Sequence, residues 1–195
     1  LDMNIARIAV NTNLAAATGG TAATLFTLFR YGKADPSMGI NGTLGGLVAI
    51  TAGCAYVTPI SSLLIGTIAG ILIVIAVPIF DKLKADDPVG AIAVHGVCGT
   101  FGTIALGVFA EKGGLLYGGG LDLLFTQTLG VLAISLWGFS TTYALFTLLK
   151  KTVGIRVTVD EEIEGLDLAE HGMAAYNEIE HNPFVTIQNL SNKKS

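Results

Sequence analysis

The sequence predicts an all-α polytopic membrane helix bundle with five transmembrane helices, and three observations carry that prediction. Hydrophobic residues make up 51% of the chain and charged residues 13%, about half the ~25% charge of an ordinary soluble domain. Mean hydropathy is +0.65. The few charges are also bunched, so that long uncharged runs alternate with short polar turns. Such runs have the length of membrane spans, since ~20 residues rising ~1.5 Å each cross a ~30 Å hydrocarbon core.

The first run, Ile8 to Phe29, lies between Arg7 and Arg30. It is rich in Ala, Gly and Thr, a composition that favours close packing inside a bundle. After the polar turn Arg30 to Pro36 the chain is uncharged as far as Phe80, and as one helix this would be about 67 Å long. It must break, and the residue before a proline is disfavoured in helix. The expected break is therefore Tyr56-Val-Thr-Pro59, giving a short span at Gly39 to Ala55 and a full one at Ile60 to Phe80. Gly42 with Gly46 and Gly66 with Gly70 have the four-residue spacing of close helix contacts.

A fourth span is read from Pro88 to Ala110, where His95 and Cys98 are the titratable groups. A Gly-rich loop, Gly113 to Gly120, leads to the fifth run, Leu123 to Leu149. Arg30, Lys33, Lys82, Lys84, Lys150, Lys151 and Arg156 fall on one side of this scheme and Lys112 on the other. The positive-inside rule makes the first side cytoplasmic. The chain thus divides at 151, with a transmembrane domain over 1–151 and a cytoplasmic tail over 152–195, in a cell membrane. From Thr152 onward three basic residues face eight acidic ones, a balance of −5 within a whole-chain charge of −4.

Composition also excludes function classes. No nucleic-acid binding is expected from an acidic tail and an apolar bulk. No histidine-carboxylate or cysteine-histidine grouping has ligand or catalytic spacing, so the chain is expected to be no enzyme and to need no cofactor or metal. Cys54 and Cys98 lie in apolar runs, as small hydrophobes do.

His95 is the residue that asks for a function. An ionisable group near mid-membrane is costly and by default faces a protein interior or a cavity. Desolvation keeps an imidazole neutral, with one ring nitrogen free to accept and the other to donate. On a regular helix His95 shares its face with Ala91, Ile92, Cys98 and Gly99. Asp87 precedes Pro88 and suits an N-terminal cap or first-turn acid of this helix, with proton release as the other role open to it.

Asp86-Asp-Pro leading into Val94-His-Gly-Val-Cys-Gly-Thr100 resembles the tenth helix of the ammonium transporter family, which includes the Amt, methylammonium permease and Rhesus proteins. Asn41-Gly-Thr-Leu-Gly-Gly to Tyr56 resembles its eighth helix, and Gly154-Ile-Arg-Val through Glu164-Gly-Leu-Asp-Leu-Ala-Glu-His-Gly172 its cytoplasmic tail. The resemblance implies helices seven to eleven of eleven, with the chain as the C-terminal part of a longer protein.

It further implies a channel for ammonium, deprotonated outside and conducted as ammonia through a hydrophobic pore, with proton relay by paired histidines. His95 is one of the pair; the N-terminal part of the transporter supplies the second. Leu44, Ala91 and Thr51 match lining positions of the substrate pathway. In the tail, Gly154, Gly165, Asp167, His171 and Gly172 match a regulatory segment. A homotrimer and control by a PII-type signal protein at the cytoplasmic face are implied as well. The alternative within the same resemblance is an ammonium sensor built on the transporter scaffold. Many family members have a second aspartate where this sequence has Gly90.

Overall fold

The computed structural model describes residues 3–173 and 175, and the regular elements among them are helices. The helices are α1 (Met3–Tyr31), α2 (Pro36–Ile50), α3 (Pro59–Lys82), α4 (Cys98–Phe109), α5 (Asp122–Thr152), α6 (Val159–Glu164) and α7 (Leu166–His171). A π-helical segment, Ile92–Val97, runs directly into α4, and a single 3-10 turn, Leu115–Tyr117, precedes α5. Two compact units are formed, 1–140 and 141–195. His181 and the remainder of the chain to Ser195 lie outside the described residues.

Five long helical segments follow the expected order. By length and composition three can cross a membrane: Pro59–Lys82, Ile92–Phe109 and Asp122–Thr152. The 29 residues of α1 are long enough but carry more polar side chains, and the 15 of α2 reach only about 22 Å.

The core of the first unit is built on the small residues of α1. Asn11, Ala15, Gly19, Ala23 and Thr27, spaced every four residues, are its buried stripe. A side chain at Gly46 or Gly66 would run into the backbone of Ala15, and one at Gly42 or Gly70 into that of Gly19. The two glycine pairs therefore let α2 and α3 lie directly on α1. Without a hydrophobic drive between helices in lipid, such close approach is what dispersion needs. Larger apolar residues, Ile50, Ile65 and Ile73, fill the space between α2, α3 and α4.

Helix starts follow local rules. Asp35 caps α2, accepting from Ser37 N–H at 2.9 Å and Met38 N–H at 3.2 Å, and Thr58 caps α3 through Ser61 N–H at 3.1 Å. Pro36 and Pro59 occupy the first helical turn in each case, where a missing N–H costs nothing. Pro78 lies within α3 near its end, and the helix continues to Lys82.

The break differs in detail from the sequence reading. α2 stops at Ile50, and 51–56 form tight turns before α3 begins at Pro59. Proline accounts for the restart; the earlier stop is stabilised from α1. Asn11 Nδ2 donates to the carbonyls of Cys54 at 2.9 Å and Val57 at 2.8 Å, and an Arg7 guanidinium N–H reaches Val57 O at 2.8 Å. Carbonyls freed by unwinding thus find donors inside the bundle, as apolar surroundings require. Arg7 also pairs with Glu111, whose N–H bonds Tyr56 O at 2.9 Å. This ties the start of α1 and the end of α4 to the same turn.

Candidate functional site

The histidine segment begins later than the sequence suggests. Residues 88–90 form a turn, and the π-helical stretch starts at Ile92. Asp87 sits before the turn, and its two carboxylate oxygens accept from Ala91 N–H and Ile92 N–H, both at 2.8 Å. It occupies the position of a capping acid, satisfying donors that the first turn leaves open. Gly90 adopts φ +73° and is buried. A side chain there would meet Asn41 Nδ2 at 2.9 Å as well as being held in a left-handed conformation.

Within the π segment, Cys98 N–H bonds to the carbonyl of Ala93, five residues back. This wide turn changes which residues share a face. His95 and Gly96 are exposed, Gly99 is half-buried and Thr100 exposed, whereas Cys98 is fully buried with its Sγ 3.6 Å from Ala69 O. The expected grouping of Cys98 with His95 is therefore corrected. The extra residue in the turn carries Cys98 inward.

The other pathway candidates fall on open surface too. Leu44 is 44% exposed on α2, one turn after the exposed Ile40, and Thr51 is exposed where α2 ends. Ala91 and Ile92 are exposed at the entry to the π segment. On the opposite faces of the same segments, Gly45, Ala49, Ala93 and Val94 are buried. His95 also opens onto a groove of about 410 Å³ lined by Gly99 and Thr103 and, from α5, by Gly130 and Ser135.

The tail candidates are mainly chain terminators. Gly154 (φ +84°) closes α5 by bonding Leu149 O at 3.0 Å, in the manner of helix-ending glycines, and Gly165 (φ +107°), whose N–H bonds Glu161 O at 3.0 Å, separates α6 from α7. Gly172 (φ +65°) follows the exposed His171, and an Asp167 carboxylate oxygen accepts from Ala175 N–H at 2.9 Å. At the start of α6, Thr158 and Glu161 form a reciprocal capping box. The bonds from Thr158 N–H and Oγ1–H hold the Glu161 carboxyl below its ordinary pKa.

Sequence reasoning missed Asn11, Arg7, Glu111 and Asn41. Their signal was a polar side chain at the edge of, or inside, an apolar run.

A helical bundle with membrane-length segments and one histidine set on an open face defines the class: a polytopic membrane protein with an ionisable group at the bundle's uncovered side. A model of the Ammonium Transporter Family matches residues 2–176, and the chain belongs to that family. It is 46% identical over 187 residues to the ammonium transporter Amt2 of Archaeoglobus fulgidus, covering 90% of this chain and 40% of that protein. Among solved structures, a sensor Amt protein superposes with a TM-score of 0.81 at 42% identity, covering 87% of this chain and 43% of that one. Mep2 of Candida albicans gives 0.78 at 30% identity, over 94% and 44% respectively. The chain thus spans about two fifths of the length of the relatives it matches. The family is one of membrane transporters and not of enzymes.

Proposed function

We propose that this chain supplies the C-terminal part of an ammonium-conducting pore, with His95 as one of two histidines that handle the substrate's proton. The observation that carries the reading is the shared exposure of Leu44, Thr51, Ala91 and His95, residues from two elements whose opposite faces are buried. In a membrane an open histidine face calls for a protein cover. The N-terminal part of the same transporter is the proposed cover and the source of the second histidine.

The chemistry follows from solvation. Carrying an ammonium ion into a low-dielectric pore costs on the order of tens of kcal/mol if uncompensated, while neutral ammonia crosses at far smaller cost. A neutral imidazole lowers the barrier by accepting the proton on one nitrogen while the other donates. Leu44 and Ala91 keep the passage narrow and apolar, and Thr51 offers a hydroxyl near its other end. Asp87 acts as the cap of the histidine segment.

The same reading takes 1–151 as the membrane domain and 152–195 as a cytoplasmic tail, with Gly154, Gly165, Asp167, His171 and Gly172 in a regulatory segment open to a PII-type protein. The assembly is a homotrimer with one pore per subunit. A second reading, an ammonium sensor on the same scaffold, is favoured by the likeness to the sensor Amt protein. Ammonium flux through the full-length protein in liposomes separates the two: sustained, gradient-driven uptake supports the transporter, and binding without uptake the sensor.

A further inference from the structure

We propose that Asn41 is a positioning residue for His95, acting through the π-helical turn; the inference rests on the pathway role given to His95 above. A π turn is rare and less favourable than an α turn, so it persists where something at each end imposes it, and it recurs at functional sites. Both ends are visible here. On the C-terminal side Cys98 is fully buried against Ala69 O, and Gly102 lies directly on the backbone of Ala49. These contacts hold the start of α4 in register against α2 and α3.

On the N-terminal side the anchor comes from α2. Asn41 Nδ2 donates to Val89 O at 3.0 Å, holding the turn that Gly90 closes at φ +73°. That turn aims Asp87 at Ala91 N–H and Ile92 N–H. Val94 N–H bonds Gly90 O at 3.0 Å, an ordinary α spacing, and Cys98 N–H then bonds Ala93 O. Between the two anchors the chain holds one residue more than α turns accommodate. The surplus is taken up at 92–97, the segment containing His95.

Releasing the first anchor lets the surplus leave toward the loop. The segment then relaxes to an α-helix, and residues ahead of Cys98 turn by about 100°, the angle of one residue. His95 would turn away from the groove it shares with Gly99 and Thr103. Asn41 thereby sets the direction of an imidazole it does not touch.

The test uses Asn41→Asp in the full-length protein, which keeps the side-chain shape and removes the N–H donor. Asn41→Ala is the second variant should the first fail to assemble, and Asn41→Gln, which retains an uncharged amide N–H donor, is the conservative rescue. Structure determination in lipid nanodiscs is expected to show Cys98 N–H bonded to Val94 O and His95 rotated in the donor-less variant, with the π turn kept in the rescue. The pH profile of ammonium uptake should move toward that of His95→Ala in the first case and stay as in the parent in the second. An intact π turn with His95 in place in Asn41→Asp or Asn41→Ala overturns the inference whatever the flux. A His95→Ala profile identical to the parent overturns instead the role of His95 on which the inference rests.

Discussion

The side-chain amide of Asn11 reaches across 46 positions of sequence to the carbonyl of Val57 at 2.8 Å, and the same nitrogen bonds Cys54 O at 2.9 Å. Two carbonyls that leave the helical ladder between α2 and α3 are thus satisfied from inside α1. Asn11→Ala removes both bonds from a fully buried position. A loss of about 1–3 kcal/mol is expected, the cost of stranding a buried acceptor, read as a lower melting midpoint of the full-length protein in detergent. An unchanged midpoint would mean that the break is held by Arg7 alone.

Gly46 faces the Ala15 backbone with no room for a side chain. Gly46→Val should separate α1 from α2 and cost about 1–3 kcal/mol or more through overpacking. Membrane insertion should survive while the yield of assembled protein falls. Gly130, where an added Cβ would meet nothing within 4 Å, is the control position, and Gly130→Ala should assemble normally.

His95→Ala should change the selectivity or proton coupling of ammonium uptake by the full-length protein, because it deletes the ionisable group from an open face without emptying a packed core. The measurement is current against uptake at several pH values. Parent-like coupling throughout would remove His95 from the mechanism.

The capping box at Thr158 makes the start of α6 sensitive to acid. Bonds from Thr158 lower the Glu161 pKa in the folded chain, so the carboxylate form is the one the fold favours. Its contribution is fully present above the pKa of a free glutamate and is lost as pH falls through the depressed value. Backbone carbon shifts at Val159–Glu164 should therefore drift toward coil in that acidic window and in Glu161→Ala at neutral pH. Helical shifts that persist in both would show the box to be idle.

Deleting Gly165–Ser195 should reduce uptake per assembled protein without preventing insertion, since among the described residues every candidate membrane span ends before Gly165. Quantitative uptake normalised to reconstituted protein provides the comparison. Parent-level uptake would mark the acidic tail as a passive solvated segment.

The limits of α1, α3 and α5 were legible in the sequence because charges cannot be spread through a hydrocarbon-crossing segment. Arg30 at the end of α1, Asp81 at the end of α3, and Asp122 with Lys150 at the two ends of α5 therefore punctuate the chain as plainly as any cap, whereas α1 starts at Met3, one turn ahead of the Arg7 that bounds the uncharged run. The glycine pairs were legible for a similar reason: only the absence of a side chain lets two backbones meet in lipid. His95 stood out as an ionisable group in such a run. What the sequence could not decide was how these pieces constrain one another. The early end of α2, the carbonyls taken up by Asn11, the hold of Asn41 on Val89 and the inward turn of Cys98 depend on residues brought together from 29 to 48 positions apart. The π turn depends on them as well, because nothing local in 92–97 selects the rarer π turn over an α turn. Two anchors on different helices, fixed only when the bundle packs, place the extra residue beneath His95.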